Sequence, residues 1–400
     1  MTASTKPLPS LSSAAWLNEP RLQQVMAVIA RNGGEARVAG GAVRNALLGV
    51  AISDVDLATT MLPQEVMRVA KQAGFSVHPT GFEHGTVTVV NGGIPFEVTT
   101  LRRDIETDGR RAVVAFTLDW AEDAHRRDFT MNAMYCDAAG KIYDFTSGYV
   151  DLLRFRIRFV GDARERIKED YLRILRFFRF HARFGKGAPD RTGLAACAKL
   201  KAGLKKISAE RIHQEMFKLL AAPRAVQTMK VMAAAGVLKI IIPHTDDWRT
   251  VQRLPDDSLL RIFALAKKPE HLKERLRLSN DESQRIEGLG MAPDISPRLR
   301  PQEQHAMLYR LGVQTWSDTV YLNWAKGRAS LSDVKWQALL DLPQNWPIPK
   351  LPITGRDLLQ AGVASGPAMG QVLRNLEDWW VANDFVSTRE DLLERLKHDA

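Results

Sequence analysis

The sequence predicts an α+β protein: a small mixed antiparallel sheet with short helices near the N-terminus, followed by an all-helical remainder. Two observations carry this expectation. Up to about residue 150, β-like runs alternate with short helical ones, and beyond it nearly every periodic stretch shows helical spacing. Composition supplies the third support, since 45% of the 400 residues are hydrophobic and 26% charged, enough for a substantial core and unlike a disordered chain. The pattern divides into an N-terminal extension (1–22), a sheet-bearing segment (23–150), a first helical segment (151–225), a helical body (226–345) and a final helical module (346–400). Proline-rich DLPQNWPIPKLP, 341–352, marks the last boundary.

Taken in order, Leu22 to Ile29 reads as a helix stopped by Asn32-Gly33-Gly34, where glycine accommodates the positive φ of a cap. A brief strand, Arg37 to Ala39, runs into Gly40-Gly41, and AVRNALL then forms a short helix ended by Gly49. In ISDVDLATT, Val55 and Leu57 alternate with Asp54 and Asp56, so a strand here aligns both carboxylates on one face. GTVTVVNGGIPFEVTTL reads as a hairpin around Asn91-Gly92-Gly93, with Phe96 and Val98 on one face and Glu97 on the other. Residues Arg102 to Arg111 are polar and read as a mobile loop, and MNAMYCDAAGKIYDF gives another short hairpin. From Ala163, ARERIKEDYLRILRFFRFHARF reads as one long helix that puts Arg173, Arg176 and Phe180 on a common face. Ser208 is a cap candidate for the next helix. Trp379, Trp380 and Phe385 read as the core of the last module rather than as a stacking surface for bases.

Lys and Arg number 56 against 46 Asp and Glu, a formal charge of +10 that permits a polyanionic partner without establishing one. Two cysteines, Cys136 and Cys197, cannot build a disulfide framework or a four-cysteine zinc site. No apolar run approaches 18 residues and the polar opening lacks a signal core, so no membrane span is expected and a reducing, cytoplasmic setting fits.

Asp54 and Asp56 are the chemical focus. Neighbouring carboxylates repel unless a cation lies between them, and oxygen ligands suit Mg²⁺; Glu97 on an adjacent strand can complete the cluster. A bare acidic pair is common on surfaces, and a glycine pair alone is often only a tight turn. Their combination is more informative: Gly40-Gly41 between a strand and a helix directs N–H groups toward an anion, Arg44 lies one turn on, and the acids follow 13 to 16 residues later. That order points to metal-dependent phosphate chemistry.

Gly40-Gly41-Ala42-Val43-Arg44-Asn45-Ala46-Leu47-Leu48-Gly49 with Asp54-Val55-Asp56 resembles the opening signature of the class II tRNA nucleotidyltransferase and poly(A) polymerase superfamily. Arg126-Arg127-Asp128-Phe129-Thr130-Met131-Asn132-Ala133 resembles its second signature. Glu169-Asp170-Tyr171-Leu172-Arg173 resembles its nucleotide-selection motif, and Ile207-Ser208-Ala209-Glu210-Arg211-Ile212 a further neck element. The resemblance implies a nucleotidyltransferase head, a neck with nucleotide-selection and RNA-binding helices, a body and a tRNA-binding tail. Its implied activity is template-independent addition of C, C and A to the tRNA 3′ end from CTP and ATP, with Mg²⁺ held by Asp54 and Asp56. It further implies that Arg127 and Asp128 contact the sugar and phosphates of the incoming nucleotide. Relatives usually carry aspartate where this chain has Asn45.

Between Asp151 and Lys186 stand eleven basic side chains against five acidic ones, a field suited to triphosphate and RNA backbone, although a plain basic helix has the same composition. Asp170 and Arg173, three apart, offer an acceptor and a fork of donors that match the amine-and-acceptor edges of cytosine and adenine and clash with uracil and guanine. Glu169 is expected to orient the Arg173 fork; Arg176 is a further candidate for binding the nucleotide, with organising Glu169 or Asp170 as its alternative role. Three rival readings stand beside full CCA addition: a poly(A) polymerase, a partial CC- or A-adding enzyme, and an inactive RNA-binding scaffold. A scaffold has no need to keep a repulsive carboxylate cluster.

Overall fold

The computed structural model describes residues 8–107 and 112–399. The chain divides into two compact units, Met1–Pro243 and His244–Ala400.

In the first unit, α1 (Pro20–Arg31) starts where the Glu19 carboxylate accepts the N–H groups of Arg21 and Leu22, and it buries Leu22, Val25, Met26 and Ile29 along one stripe. Then follow β1 (Ala36–Ala39), α2 (Gly41–Leu48), β2 (Leu57–Thr59), α3 (Pro63–Gln72), β3 (Ser76–Gly81), β4 (Thr86–Asn91) and β5 (Ile94–Thr100). After β6 (Arg102–Thr107) and β7 (Ala112–Phe116) come α4 (Trp120–His125), β8 (Met134–Cys136), β9 (Ile142–Asp144) and α5 (Gly148–Leu153). Seven strands form one sheet in the spatial order β3-β4-β5-β2-β1-β8-β9, in which only β2 and β5 run parallel. The mixed, mainly antiparallel sheet is the one expected. The segment before α1 belongs to the same fold: Leu17 is fully buried, and Leu11 N–H donates to the Gly140 carbonyl.

Two local expectations are corrected here. The polar segment from Arg102 is not a loop throughout, because β6 and β7 pair as a separate antiparallel hairpin; residues 108–111 of that expectation lie outside the described residues. Cross-strand backbone bonds tolerate polar side chains, so charge alone was a poor sign of irregular chain. Nor is 163–184 one helix. α6 (Ala163–Glu169) stops at Asp170, whose backbone is extended (φ −152°, ψ 107°), and α7 (Leu172–Phe184) starts after it. The apolar periodicity runs through that joint, which hid it.

α7 buries Ile174, Leu175, Phe177 and Phe178. Against it pack a 3₁₀ turn (Lys201–Lys206), α9 (Ala209–Leu220) and α10 (Ala225–Ala234), while α8 (Arg191–Leu200) packs on α6 and α11 (Leu238–Ile241) on the 3₁₀ turn and α10. Ser208 is the N-cap of α9 by position, without a side-chain cap bond.

The second unit is helical. Its Pro301–Lys326 helix kinks at Gly312, where φ is +73°. Buried Asp318 accepts from Arg285, which also donates to Asp257, so the charge inside this unit is paired. Trp380 is in the core of the last module, with Trp379 and Phe385 packed against it, so these rings serve packing as expected. Among the described residues, no helix is long and apolar enough to cross a membrane.

Candidate active site

A cleft of about 430 Å³ opens in the first unit at the C-terminal end of β1. It gathers residues from five places in the chain: the β1–α2 turn with the start of α2, the chain entering β2, the segment after α4, the α6–α7 joint with the face of α7 that carries Arg176 and Phe180, and the first turn of α9. Nine of the residues singled out from sequence line it: Gly40, Gly41, Arg44, Asp56, Arg127, Asp128, Asp170, Arg173 and Arg176. Asp54, Glu97 and Glu169 are not among its lining residues.

At one end Gly40 turns the chain from β1 into α2 with φ +64°, a conformation that favours glycine. A Cβ there would stand 3.2 Å from both Arg127 Nη1 and the Asn132 carbonyl oxygen. The Gly40 N–H is not a free donor as expected, because it bonds the Met134 carbonyl; anion-facing N–H groups can come only from the first turn of α2, which carries no side-chain cap. Arg44 is buried against the Phe180 and Phe184 rings and donates to Asn132 Oδ1 and to Asn45 Oδ1. Burial, with Arg179, Arg183 and Arg176 nearby and only Asp128 opposing, brings its pKa down to about 10, still cationic at neutral pH. Asn45 Nδ2 in turn donates to the Ala51 carbonyl at 3.0 Å. Since Arg44 can only donate and that carbonyl only accept, the amide orientation is forced.

The expected strand over both aspartates is shorter than the pattern suggested. β2 begins at Leu57, and Asp54 and Asp56 lie in the chain entering it. Pairing reaches one residue further, since Ala39 N–H donates to the Asp56 carbonyl at 2.8 Å. The parallel register sets Leu57 opposite Val98, which puts Asp56 beside Glu97. Asp54 is exposed and accepts from the Ser53 hydroxyl. Desolvation, then Glu97, then Asp54 raise the Asp56 carboxyl above its ordinary value. Among the described residues no three such side chains close into a metal-holding group. The chemistry of the donor set nevertheless fits a hard divalent cation, since Glu97 and Asp54 both add negative field at Asp56 and carboxylate oxygens suit such an ion.

On the opposite wall, Arg127 donates to Asp123 and to the Tyr135 hydroxyl, which together raise its pKa against the cost of burial. Burial opposes ionisation of Asp128 too, but Arg176 (2.5 Å) and the Asn132 amide hold its carboxyl below the ordinary value. Arg176 is thus ion-paired with Asp128, with Glu215 at 3.8 Å, while of the two alternative partners weighed from sequence only Asp170 acts on it, and only through its field. Helical spacing put it on the right face but could not reveal the head segment that meets it.

At the α6–α7 joint Asp170 and Arg173 share the cleft, and their side chains take other partners rather than each other. Asp170 accepts from Leu172 N–H (3.0 Å) and from Arg211 Nη2 of α9 (2.7 Å). Arg173 donates to Glu169 (2.5 Å) and to the carbonyls of Arg166 and Arg126. An acceptor and a planar donor fork thereby face one cavity, each anchored by a partner outside the pair. Sequence reasoning missed Arg126, Asn132 and Arg211 as lining residues. All three lie inside quoted motifs, so the signal was present, but nothing in one dimension shows which motif residues turn inward.

The poly(A) polymerase head domain model matches residues 36–158, and a tRNA nucleotidyltransferase domain 2 model matches 259–396. The mitochondrial CCA tRNA nucleotidyltransferase 1 of Danio rerio is 34% identical over 388 residues, covering 92% of this chain and 88% of the relative. The CCA-adding enzyme of Latilactobacillus sakei is 32% identical, with 94% and 96% covered. A solved structure of the Bacillus stearothermophilus CCA-adding enzyme in complex with CTP superposes with a TM-score of 0.79 at 27% identity, over 95% of this chain and 97% of that one. With identity above 30% across nearly the whole length, the chain belongs to the CCA tRNA nucleotidyltransferase family.

Proposed function

We propose that this chain adds C, C and A in turn to the 3′ end of tRNA, taking CTP and ATP as substrates, reading no nucleic-acid template and releasing pyrophosphate at each step. The observation that carries this reading is a single cleft with an anion end (the α2 first turn, Arg44), a carboxylate wall (Asp56) and a paired acceptor and donor fork (Asp170, Arg173). A phosphate site alone would not need the last feature.

In this reading the tRNA 3′ hydroxyl attacks the α-phosphate, the bond between the α-phosphorus and the bridging oxygen to the β-phosphate breaks, and no side-chain nucleophile takes part. Asp54 and Asp56, with Glu97 beside them, would hold Mg²⁺, which when bound neutralises charge on the attacking and leaving oxygens. Arg44 and Arg127 bind the triphosphate, and Asp128 holds Arg176 against the sugar side of the cleft. Asp170 accepts from the exocyclic amine of cytosine or adenine, while Arg173 donates to the unprotonated ring nitrogen. Uracil and guanine present a carbonyl to the carboxylate and a protonated nitrogen to the guanidinium, and unsatisfied buried groups of that kind cost about 1–3 kcal/mol each. The two buried, unpaired thiols of Cys136 and Cys197 support a reducing, cytoplasmic setting.

The deciding experiment incubates the protein with tRNA ending before CCA and each labelled nucleotide separately, then all together. Two C residues from CTP alone, and A only after them, are expected. Repeated A addition to unrelated RNA ends would favour a poly(A) polymerase, and no incorporation would leave a scaffold.

A further inference from the structure

The base-reading residues hang on a joint whose support comes from behind. Asp170 has extended backbone between α6 and α7, and Tyr171 opens α7. Asp170, Leu172 and Arg173 line the cleft, whereas Tyr171 does not. Its ring lies instead on Gly203, in the 3₁₀ turn Lys201–Lys206, where the chain is buried. A Cβ built on Gly203 would fall 1.9 to 2.4 Å from three atoms of the Tyr171 ring. These are the root and near edge of the ring, not the free end of a flexible chain, so no small rotation relieves the overlap. Gly203 does not have a positive φ, so its backbone accepts any residue and only the ring demands glycine. The Lys206 ammonium, from the same turn, lies 5.6 Å from the ring centroid.

We infer that the Gly203–Tyr171 contact is a positioning device for nucleotide selection: by seating the ring against the 3₁₀ turn it sets where the α6–α7 joint displays Asp170 and Arg173. Three bonds converge on the same joint. Arg173 N–H donates to the Asp170 carbonyl, Leu172 N–H to the Asp170 carboxylate, and Arg211 to the same carboxylate from α9. A displaced ring moves the residue between them. Neither Gly203 nor Tyr171 lines the cleft, so an effect on base choice would have to pass through the joint. The inference rests on the proposed base-reading role of Asp170 and Arg173.

The test measures kcat/KM for CTP, ATP, UTP and GTP with one tRNA primer, in the full chain. Gly203→Ala should cut the preference for CTP over UTP and for ATP over GTP by about ten-fold, the scale of one buried polar contact misplaced. Adding Tyr171→Ala to Gly203→Ala restores the space, and should recover most of the melting temperature and bring the ratios back to those of Tyr171→Ala alone. Val69→Ala, in the core of α3, serves as a control for mere destabilisation and should lower all four substrates alike. Should Gly203→Ala fail to fold, Tyr171→Ala decides, because loss of the ring must relax the same ratios. Unchanged ratios in the folded Gly203→Ala protein, or in Tyr171→Ala where that variant decides, overturn the inference. Asp170→Ala is run in parallel. If its ratios shift while those of Gly203→Ala stay flat, this inference alone fails; if Asp170→Ala is itself flat, the base-reading proposal fails and takes this one with it.

Discussion

Arg173 gives the sharpest test of whether the helices behind the head read a base or merely supply charge. Its guanidinium makes three bonds: to Glu169 at 2.5 Å, to the Arg166 carbonyl at 2.9 Å and to the Arg126 carbonyl at 3.2 Å. Arg173→Ala removes all three, yet Glu169 is not stranded, because Arg166 pairs with it as well. At about 0.5–1.5 kcal/mol net per bond, and with no orphaned charge, the stability loss for three bonds should be about 1.5–4.5 kcal/mol. That is a fall in Tm of roughly 3–18 °C for a unit of this size. The effect on selection is separate. A lost donor to the cytosine or adenine ring nitrogen should lower kcat/KM for CTP and ATP about ten-fold or more, while UTP and GTP, relieved of a clash, lose less.

The assay is kcat/KM for the four nucleotides on one primer, at a temperature where circular dichroism shows both proteins folded. Arg173→Lys makes the comparison decisive, since an ammonium keeps the charge but not the planar fork that spans Glu169 and two carbonyls. Base reading predicts that Arg173→Lys recovers triphosphate affinity and not the CTP-to-UTP ratio. If lysine restores the ratio, or if alanine lowers all four nucleotides in proportion, the guanidinium acts only as part of a positive field and its assignment is wrong.

Asp54→Ala and Asp56→Ala should each abolish CTP and ATP incorporation while tRNA binding, followed by filter retention, stays within several-fold; near-normal turnover at saturating Mg²⁺ would remove them from the reaction. Asn45→Asp keeps an acceptor for Arg44 but loses the donor to the Ala51 carbonyl and partly neutralises the guanidinium, so KM for both nucleotides should rise about three- to ten-fold with kcat less affected; steady-state kinetics would show it, and an unchanged KM would mean that Arg44 does not bind the triphosphate. His181 is buried, and desolvation followed by Arg224 depresses its pKa to about 4. A base depressed in the folded state protonates first in the unfolded chain, so its contribution is present above pH 6.5 and is lost as pH falls toward 4, by up to about 3 kcal/mol. Urea unfolding of the wild type and His181→Gln across that window should give converging curves at low pH, and parallel ones would contradict the assignment.

The parts of this architecture legible in the sequence are those specified by neighbours along the chain. α1 announced itself through a four-residue apolar stripe, the β4–β5 hairpin through Asn91-Gly92-Gly93, and the β1–α2 turn through a glycine pair whose first member needs positive φ. Asp56 and Glu97 could be guessed as neighbours because alternation places each on the face opposite buried residues. The break at Asp170 could not be read that way. Apolar spacing on either side of it satisfies a single helix, and what interrupts the helix is tertiary: a carboxylate bonded to its own Leu172 N–H and to Arg211, forty-one residues away.

That joint also shows why a motif and its geometry carry different information. In a continuous helix, Asp170 and Arg173 would be one turn apart and free to pair with each other, each neutralising the group it should present to a base. Here each is instead tied to a partner outside the pair: Asp170 to Arg211, and Arg173 to Glu169 and two backbone carbonyls. An acceptor and a donor fork can face one cavity only if something else absorbs their mutual attraction, and in this fold that work falls to α9 on one side and to α6 and the head on the other. A basic helix needs none of these tethers. Their presence is the physical reason to expect discrimination among bases, rather than attraction to phosphate alone, from this wall of the cleft.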